Sequence, residues 1–359
     1  MKIFLTGGGG MVGRNVCALA HSLEHVVDAP SHDELDLLDL DALRTHLNEH
    51  RPDVVIHAAG LVGGIQANIA APFDFCYDNL QMGLNVVKAS HEVGVKRLIN
   101  LGSSCMYPRF AQNPLKESDI LSGELEPTNE GYGIAKIAVA RLVQYLSTQH
   151  GMSYKTLIPC NLYGLWDKFG VENSHMIPAV IRKVHEAKIN GAPFVDIWGD
   201  GTARREFMFA ADLADFICFV LGAVDNSYLE GRRPATCSRD PEISLNAQAY
   251  CTELDRNGSR EQVAGRRNLN RQQILERFDH LPNMINVGVG EDYSVNEYYA
   301  VVKDVLGYLG DFKYDCSKPA GMRQKLVDIS LQTNLGWKPK TDLKTGIAQT
   351  YQFFLNKDQ

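Results

Sequence analysis

The sequence lacks long apolar runs, paired-cysteine motifs and blocks of basic residues, and each absence excludes a class of protein. No stretch reaches the roughly 20 apolar residues of a membrane-spanning helix, so we expect no membrane association. The net charge of −7 and the scattered basic residues argue against a nucleic-acid partner. Because the histidines and cysteines are scattered as well, the sequence indicates no metal site.

The cysteine usage favours the cytoplasm. The eight cysteines include no C-x-x-C pair, and a chain of 359 residues can build a core without disulfides. Residues 1–5 run directly into glycines and lack the pattern of a cleavable signal peptide. We therefore expect free thiols and a cytoplasmic location.

A glycine-rich turn near residue 7 is the first positive signal. Residues 2–6 are apolar enough for a buried strand, and Gly7, Gly10 and Gly13 then follow as G-x-x-G-x-x-G. Apolar residues at helical spacing come next: Val12, Val16, Leu19, Ala20 and Leu23. A strand, a tight turn and a helix in this order let the backbone approach a pyrophosphate, with the helix N-terminus aimed at the anion. The pattern predicts dinucleotide binding, the alternative being a flexible glycine-rich turn.

Strand-like and helix-like segments alternate through the first half. Strands are predicted at residues 2–6, 26–28, 54–59, 97–101 and 156–158, with helices at 39–49, 73–92 and 133–149. The alternation predicts an α/β protein with a doubly wound parallel (Rossmann) sheet. Functional residues are then expected at the carboxyl ends of the strands.

The second half predicts a smaller, discontinuous C-terminal substrate lobe. Helices are predicted at residues 174–187, 212–224, 294–309 and 341–356, with strands at 194–198 and 285–288. Residues 225–279 are rich in Arg, Asn, Glu and Gln and predict an insertion, helical near residues 271–278. We expect residues 1–165, joined by segments near 200–224 and 285–290, to form the dinucleotide-binding domain. Residues 166–199 with 225–359 form the expected substrate lobe.

Tyr132 and Lys136 lie one helical turn apart, about thirty residues after Ser103 at the end of a predicted strand. A nearby ammonium lowers the pKa of a tyrosine, so such a phenol can transfer a proton near neutral pH. A serine hydroxyl beside the pair can hydrogen-bond a substrate oxygen. The three groups suit hydride chemistry at a carbonyl or secondary alcohol, whereas Tyr-x-x-x-Lys alone also fits a half-buried tyrosine and a solvated lysine.

Longer motifs carry a resemblance over nearly the whole chain, apart from residues 225–279. They are residues 62–68, 102–108, 126–130, 134–138, 161–164, 173–179, 205–207 and 317–319. On these motifs the chain resembles the extended short-chain dehydrogenase/reductase superfamily and, within it, the GDP-L-fucose synthases, which are GDP-4-keto-6-deoxymannose 3,5-epimerase/4-reductases. Generic sugar-nucleotide epimerases share the glycines and Tyr-x-x-x-Lys, but not usually the Ser-Ser-Cys and Asn-Ser-His-x-Ile-Pro pair.

The resemblance implies catalytic and substrate roles. Ser103, Tyr132 and Lys136 match the reductase triad, in which the tyrosine protonates the C4 oxygen as NAD(P)H delivers hydride to C4. Cys105 matches the base of C3 and C5 epimerisation and His175 its partnering acid. Taken alone, the cysteine fits a small core residue and the histidine a structural one. The implied GDP contacts are Lys183, Trp198 and Arg205.

The resemblance also implies cofactor contacts. They are Gly7, Gly10, Met11, Val12, Gly13, Ser31, His32, Leu101, Ser104, Lys136, Pro159, Asn161 and Leu162. It implies NADPH, yet NADPH-using relatives carry arginines in the glycine loop and after the second strand, where this chain has a glycine and residues 30–32, Pro-Ser-His. Arg14 and His32 can substitute in part. Asp28 can instead accept from a ribose 2′-OH, which leaves NADH as the alternative.

Three functions stay open at this point. One is the bifunctional enzyme giving GDP-L-fucose or a close analogue. Another is a reductase or 4-epimerase on a different nucleotide sugar, such as a GDP-4-keto dideoxyhexose or heptose, because Ala320 stands where the family has an aspartate. A non-catalytic cofactor-binding protein is the last. Extended-family relatives often dimerise through the helices near residues 77–92 and 133–149, so we expect a homodimer.

Overall fold

A computed structural model describes residues 1–170, 174–222, 278–317 and 322–356. Nearly all of the expected insertion at 225–279, with its predicted helix, lies outside the described residues. Asn173, Lys318, Pro319 and Ala320 of the family motifs also lie outside them.

A six-stranded parallel sheet forms the centre of the molecule. Its strands are β1 (Lys2–Thr6), β2 (Val26–Asp28), β3 (Val54–His57), β4 (Arg97–Leu101), β5 (Ser153–Pro159) and β10 (Met284–Val287). Their order is β10-β5-β4-β3-β1-β2, with every neighbouring pair parallel. The predicted doubly wound α/β sheet is confirmed. The order reverses between β1 and β3, the point at which open sheets of this kind bind ligands at their carboxyl edge.

Helices cover both faces of this sheet, which explains why β3 is buried along its whole length. One face is covered by α2 (Leu40–His50), α4 (Pro72–Glu92) and α5 (Glu130–His150), whose apolar sides meet around Leu43, Val86 and Val143. On the other face α1 (Met11–Ser22) packs against α7 (Ala210–Val220). Val327 and Trp337, from the last part of the chain, also pack into the apolar cluster on this second face.

A separate core lies among the later elements. It joins α6 (Met176–Ile189), α8 (Val295–Leu306) and α10 (Leu343–Asn356) to a parallel pair formed by β7 (Phe194–Trp198) and β12 (Asp311–Asp315). Helix α8 begins at a Ser-x-x-Glu capping box, in which Ser294 Oγ accepts from the Glu297 N–H and the Glu297 carboxylate accepts from the Ser294 N–H. The division of the chain into two lobes stays a prediction.

The remaining elements are short and were not predicted as such. They are α3 (Ile65–Ala70), α9 (Ser330–Asn334), β6 (Asn161–Tyr163), β8 (Arg204–Arg205), β9 (Phe207–Phe209), β11 (Tyr293–Ser294) and β13 (Gln324–Lys325). Strands β11, β8 and β13 form one small sheet, and β6 pairs with β9. Among the described residues, none of the helices combines the length and the apolar composition needed to cross a bilayer.

Glu206 joins three of these segments. It is completely buried between β8 and β9. Its Oε1 accepts from the N–H groups of Val289 (2.7 Å) and Gly290 (2.8 Å), and its Oε2 accepts from that of Val327 (2.9 Å). Burial raises the pKa of Glu206 to about 7, against the lowering effect of these hydrogen bonds.

Replacing Glu206 with alanine is expected to lower the free energy of unfolding by about 3 kcal/mol or more, because each buried N–H left without an acceptor costs roughly 1–3 kcal/mol. Since the folded-state pKa is raised from 4.5 to about 7, the glutamate also makes wild-type stability fall as pH rises through that window. Urea denaturation at several pH values measures both effects. The exposed Glu124→Ala change is the control, and equal stability of the two variants would contradict this assignment.

Candidate active site

The glycine turn brings β1, β3 and the start of α1 into close contact. Gly7 has φ +74°, and a Cβ there would lie 2.7 Å from the backbone of Ala59. A Cβ on Gly13 would overlap the carbonyl oxygen of Gly7, which already accepts from the Gly10 N–H at 3.0 Å. Helix α1 has no side-chain cap and no acidic residue in its first turn. Its first N–H groups are therefore available to an anion, which fits a dinucleotide pyrophosphate.

The segment after β2 offers weaker support for the expected ribose contacts. Ser31 and His32 are exposed, and Ser31 already donates through its N–H and its hydroxyl to Glu34. Arg14 Nε donates to the Gly9 carbonyl at 3.1 Å, which holds a cation beside the glycine turn. Asp28 ends the edge strand β2, where it pairs with Phe4, and its carboxylate lies 2.7 Å from His46 Nε2. This geometry does not support Asp28 as the ribose acceptor.

Ser103, Tyr132 and Lys136 come together at the end of β4. Ser103 caps a short 3-10 turn, its Oγ accepting from the Cys105 N–H at 3.2 Å, and its side chain hydrogen-bonds Tyr132. Lys136 is buried, donates to the Leu101 carbonyl at 3.0 Å, and holds its Nζ 5.7 Å from the centre of the Tyr132 ring. Gly133 permits the contact between turn and helix, because a Cβ there would lie 2.8 Å from the Cys105 carbonyl oxygen.

The electrostatics of Tyr132 differ from the prediction. Burial raises the pKa of Tyr132, a negative charge on Cys105 would raise it further, and only the hydrogen bond from Ser103 lowers it. The predicted lowering by Lys136 is therefore wrong for the protein without ligands, since the ammonium is turned to the Leu101 carbonyl. Burial also lowers the pKa of Lys136 to about 8.

The other expected cofactor residues lie along the same edge of the sheet. Leu101 and Pro159 end β4 and β5, and Ser104 is buried in the turn that follows β4. Asn161 Nδ2 donates to the Glu206 carbonyl at 2.9 Å, which orients the start of β6. Met11 and Val12 begin α1, and Leu162 lies half-buried in β6.

Cys105 lies on the turn that Ser103 caps, and its sulfur is surrounded by donors. Asn129 Nδ2 donates to Sγ at 3.1 Å, and Lys325 Nζ lies 3.8 Å from the same atom. Two donors, one of them a cation, stabilise negative charge on a sulfur atom. The thiol is thus placed for chemistry as a base.

His175 immediately precedes α6 and is half-buried. Burial, and then the charge of Lys168, lower the pKa of His175. Among the residues that the structure describes, no hydrogen bond joins His175 to Cys105. Their pairing across a substrate stays a prediction.

The three expected GDP contacts fall into two groups. Lys183 Nζ lies 5.1 Å from the centre of the Trp198 ring, so these two residues form a cation–π pair between α6 and β7. Arg205 lies in β8, where burial lowers the pKa of its guanidinium and the nearby Glu126 and Cys105 oppose that shift. Arg205 is therefore next to the triad's turn, and the Lys183–Trp198 pair is on the separate second core.

Two residues of this site carried no clear sequence signal. Lys325 is buried and belongs to a two-residue strand, too short for a periodic pattern. It reaches the sulfur because β13 pairs with β8, which sets Lys325 opposite Arg205. Asn129 lies within a quoted motif, but only the fold shows that its amide meets Cys105.

This sheet, glycine turn and Ser–Tyr–Lys group define an oxidoreductase of the extended short-chain dehydrogenase/reductase class. The chain belongs to the NAD dependent epimerase/dehydratase family, whose model matches residues 3–230. It is 45% identical over 358 residues to the GDP-L-colitose synthase of Yersinia pseudotuberculosis, covering 99% of both chains. It is 42% identical to the GDP-L-fucose synthase of Azorhizobium caulinodans, covering 100% of this chain and 97% of the relative.

A solved structure is also similar. The GDP-mannoheptose C4 reductase from Campylobacter jejuni, with NADP bound, is 29% identical and superimposes with a TM-score of 0.76, covering 99% of this chain and 98% of that one. All three of these proteins are similar to this chain over nearly its full length, and each is named for a GDP-linked sugar.

Proposed function

We propose that the protein is an NADPH-dependent 3,5-epimerase/4-reductase, both isomerase and oxidoreductase, that converts a GDP-4-keto-6-deoxyhexose into GDP-L-fucose or a close analogue. The observation that carries the proposal is that two proton-transfer groups, Tyr132 and Cys105, meet at one turn. Ser103 hydrogen-bonds Tyr132, and Cys105, two residues further, accepts from Asn129 and lies beside Lys325. The 42% identity to a full-length GDP-L-fucose synthase supports the same reaction.

In the reduction, Tyr132 is the acid. When bound, NADPH supplies the hydride that C4 receives. Tyr132 gives its proton to the C4 oxygen, and Ser103 holds that oxygen by a hydrogen bond. Because its pKa is raised by burial, the Tyr132 phenol stays protonated at neutral pH and can give its proton when negative charge develops on the C4 oxygen. Lys136, mostly charged below about pH 8, then stabilises the phenolate.

In the epimerisation, Cys105 is the base. The C4 ketone acidifies the protons on C3 and C5, because the resulting negative charge spreads onto the C4 oxygen. Ser103 and Tyr132 donate to that oxygen and stabilise the enolate, so both half-reactions use one oxyanion site. His175, as the acid, returns a proton from the opposite face. Lys183, Trp198 and Arg205 are proposed to bind the GDP part, with Arg205 and Lys183 facing phosphate.

The cofactor proposed is NADPH, bound at the carboxyl edge by Gly7, Gly10 and Gly13 with the first residues of α1. The uncapped N-terminus of α1 suits the pyrophosphate. Arg14 is a cation beside the loop, and Ser31 and His32 are exposed after β2, so these three are the candidates for the 2′-phosphate. The engagement of Asp28 by His46 weakens the case for NADH.

Gly13→Ala is expected to weaken NADPH binding by about 5- to 150-fold, since overpacking costs roughly 1–3 kcal/mol. The added methyl group would press the Gly7 carbonyl out of the turn. Gly9→Ala is the matched control, because a Cβ there has nothing within 4 Å. Fluorescence titration with NADPH measures both constants, and equal weakening in the two variants would contradict the proposed cradle.

Incubation with GDP-4-keto-6-deoxymannose and each nicotinamide in turn tests the proposed function. We expect stoichiometric oxidation of NADPH and GDP-L-fucose as the product identified by NMR. If NADPH is oxidised and the sugar product keeps the substrate's configuration at C3 and C5, the protein is a reductase without epimerase activity. If the protein does not react with this ketone, the proposed function is contradicted.

A second substrate has one observation in its favour. The relative at 45% identity is named for GDP-L-colitose rather than GDP-L-fucose. A GDP-4-keto dideoxyhexose is therefore the alternative to test in the same assay, and a higher kcat/KM for it would reassign the substrate. A heptose is the third ketone to include, because of the similar GDP-mannoheptose reductase.

We also propose a cytoplasmic homodimer. Six described cysteines are unpaired, as expected of a reducing compartment. Helices α4 and α5 pack on each other and expose large apolar side chains, including the stacked Phe73 and Tyr77 and, on α5, Tyr145. Light scattering is expected to give twice the chain mass of 39.9 kDa, and a monomeric mass would reject the dimer.

A further inference from the structure

Asp28, His46 and His50 form a cluster on the outer side of the sheet that the proposed reaction does not use. His46 and His50 are four residues apart on α2 and share one face of the helix. Asp28, the last residue of β2, faces them, with its Oδ2 2.7 Å from His46 Nε2. One ligand atom from each of the three residues lies within 4.8 Å of the others. Sequence spacing alone gave no sign of this cluster, because Asp28 reaches it only through the packing of β2 on α2.

We propose that these three side chains bind a divalent late-transition metal ion, zinc being the best match. Two imidazoles and one carboxylate are the donors that zinc accepts with bond lengths of about 2.0–2.2 Å. The two imidazoles favour zinc, nickel or copper over magnesium or calcium. Three protein ligands leave one coordination position to water.

The tautomer of His50 suits this role. His50 Nδ1 donates to the His46 carbonyl at 2.9 Å, which leaves the lone pair on Nε2 free to bind an ion. Metal-binding histidines characteristically donate their other ring N–H to a carbonyl or carboxylate in this way. The two rings stack with centroids 4.0 Å apart, which keeps the exposed His50 ring beside the Asp28–His46 pair.

The environment allows an ion to enter and to be held. The side chains of Asp28 and His46 are 29% and 19% exposed, so the pair is shielded while its outer side is open through His50. A simple Asp28–His46 hydrogen bond accounts for two of the three residues but gives His50 no part. Metal binding uses all three, and this difference is what an experiment can separate.

The location gives the ion a structural effect. Strand β2 has three residues and forms an edge of the sheet, where β1 is its one neighbour among the described strands. An ion on Asp28 and α2 would clip this strand to its helix. Ala29, the next residue, lies against Gly8 of the glycine turn, where a Cβ on the glycine would be 2.7 Å from the alanine Cβ. The clip therefore fixes the strand directly behind the dinucleotide turn.

Calorimetric titration of the full chain with zinc chloride tests the site. We expect one zinc ion per chain at this site and a rise in Tm with zinc, because an ion that binds only the folded state stabilises it. His50→Gln is expected to weaken zinc binding at least tenfold and to remove the Tm rise, and Asp28→Asn to weaken binding as well. His50 is exposed, so its loss leaves the fold intact.

His21→Gln is the matched control. His21 is exposed on α1 and makes the same bond to the carbonyl four residues earlier, at 2.7 Å to Cys17, so the substitution removes an equivalent histidine. It is expected to bind zinc like the wild type. Zinc binding that persists in His50→Gln but disappears in Cys105→Ser would assign the ion to the thiol and overturn the proposal. A wild-type chain whose Tm does not respond to zinc would overturn it equally.

Discussion

Tyr132→Phe is expected to lower kcat for reduction of the 4-keto sugar by about 10²–10⁴-fold, the usual contribution of a positioned general acid. The phenol is the group that Ser103 holds by a hydrogen bond and that Lys136 approaches from the next helical turn. Phenylalanine keeps the ring and its packing but has no proton to give. KM is expected to change little, because the lost interaction belongs to the transition state. Stopped-flow absorbance of NADPH during a single turnover measures the chemical step directly.

The control for this change lies on the same helix. Tyr145 also lies on α5, several helical turns after Tyr132, and its side chain is 61% exposed. The Tyr145→Phe variant is therefore expected to react like the wild type. If Tyr132→Phe also retained wild-type kcat, the proposed acid would be wrong. The NADPH affinity of both variants checks that the dinucleotide site is unchanged.

Cys105→Ser is expected to reduce exchange of the C3 and C5 protons with solvent by about 10²–10⁴-fold, again the range of a general base. A serine hydroxyl cannot carry the negative charge that Asn129 and Lys325 stabilise on sulfur. Reduction should survive, because Ser103, Tyr132 and Lys136 are untouched. The variant is thus expected to reduce a ketone that has already been epimerised.

Deuterium incorporation from heavy water, followed by NMR, separates these two activities. Cys316→Ser, at an exposed cysteine, is the control and should exchange like the wild type. Exchange that continues unchanged in Cys105→Ser would remove Cys105 from its proposed role. Loss of exchange and reduction together would show instead that the serine had disturbed the shared turn.

The sheet was predictable because its signals are local. Strands such as β3 begin with an apolar run, here Val54, Val55 and Ile56, and the carboxyl end of each strand follows from its direction. The glycine turn was predictable for the same reason, since three glycines at fixed spacing have few structural uses.

The rest depended on contacts between distant segments. Lys325 meets Cys105 across 220 positions of sequence, through a two-residue strand with no periodicity. The pKa of Tyr132 was predicted with the wrong sign because a sequence shows the neighbouring cation, but neither the burial of the phenol nor the hydrogen bond that turns Lys136 to the Leu101 carbonyl. Glu206, which joins three segments, and the Asp28–His46–His50 cluster were hidden for the same reason: their partners are set by topology.

The most direct test of the account is one turnover in heavy water with GDP-4-keto-6-deoxymannose and NADPH. We expect one NADPH to be oxidised per product and deuterium from solvent to be found at both C3 and C5. C4 is expected to carry no deuterium, because its hydrogen comes from NADPH. A product with protium at C3 and C5, or turnover without net oxidation of NADPH, would contradict the account.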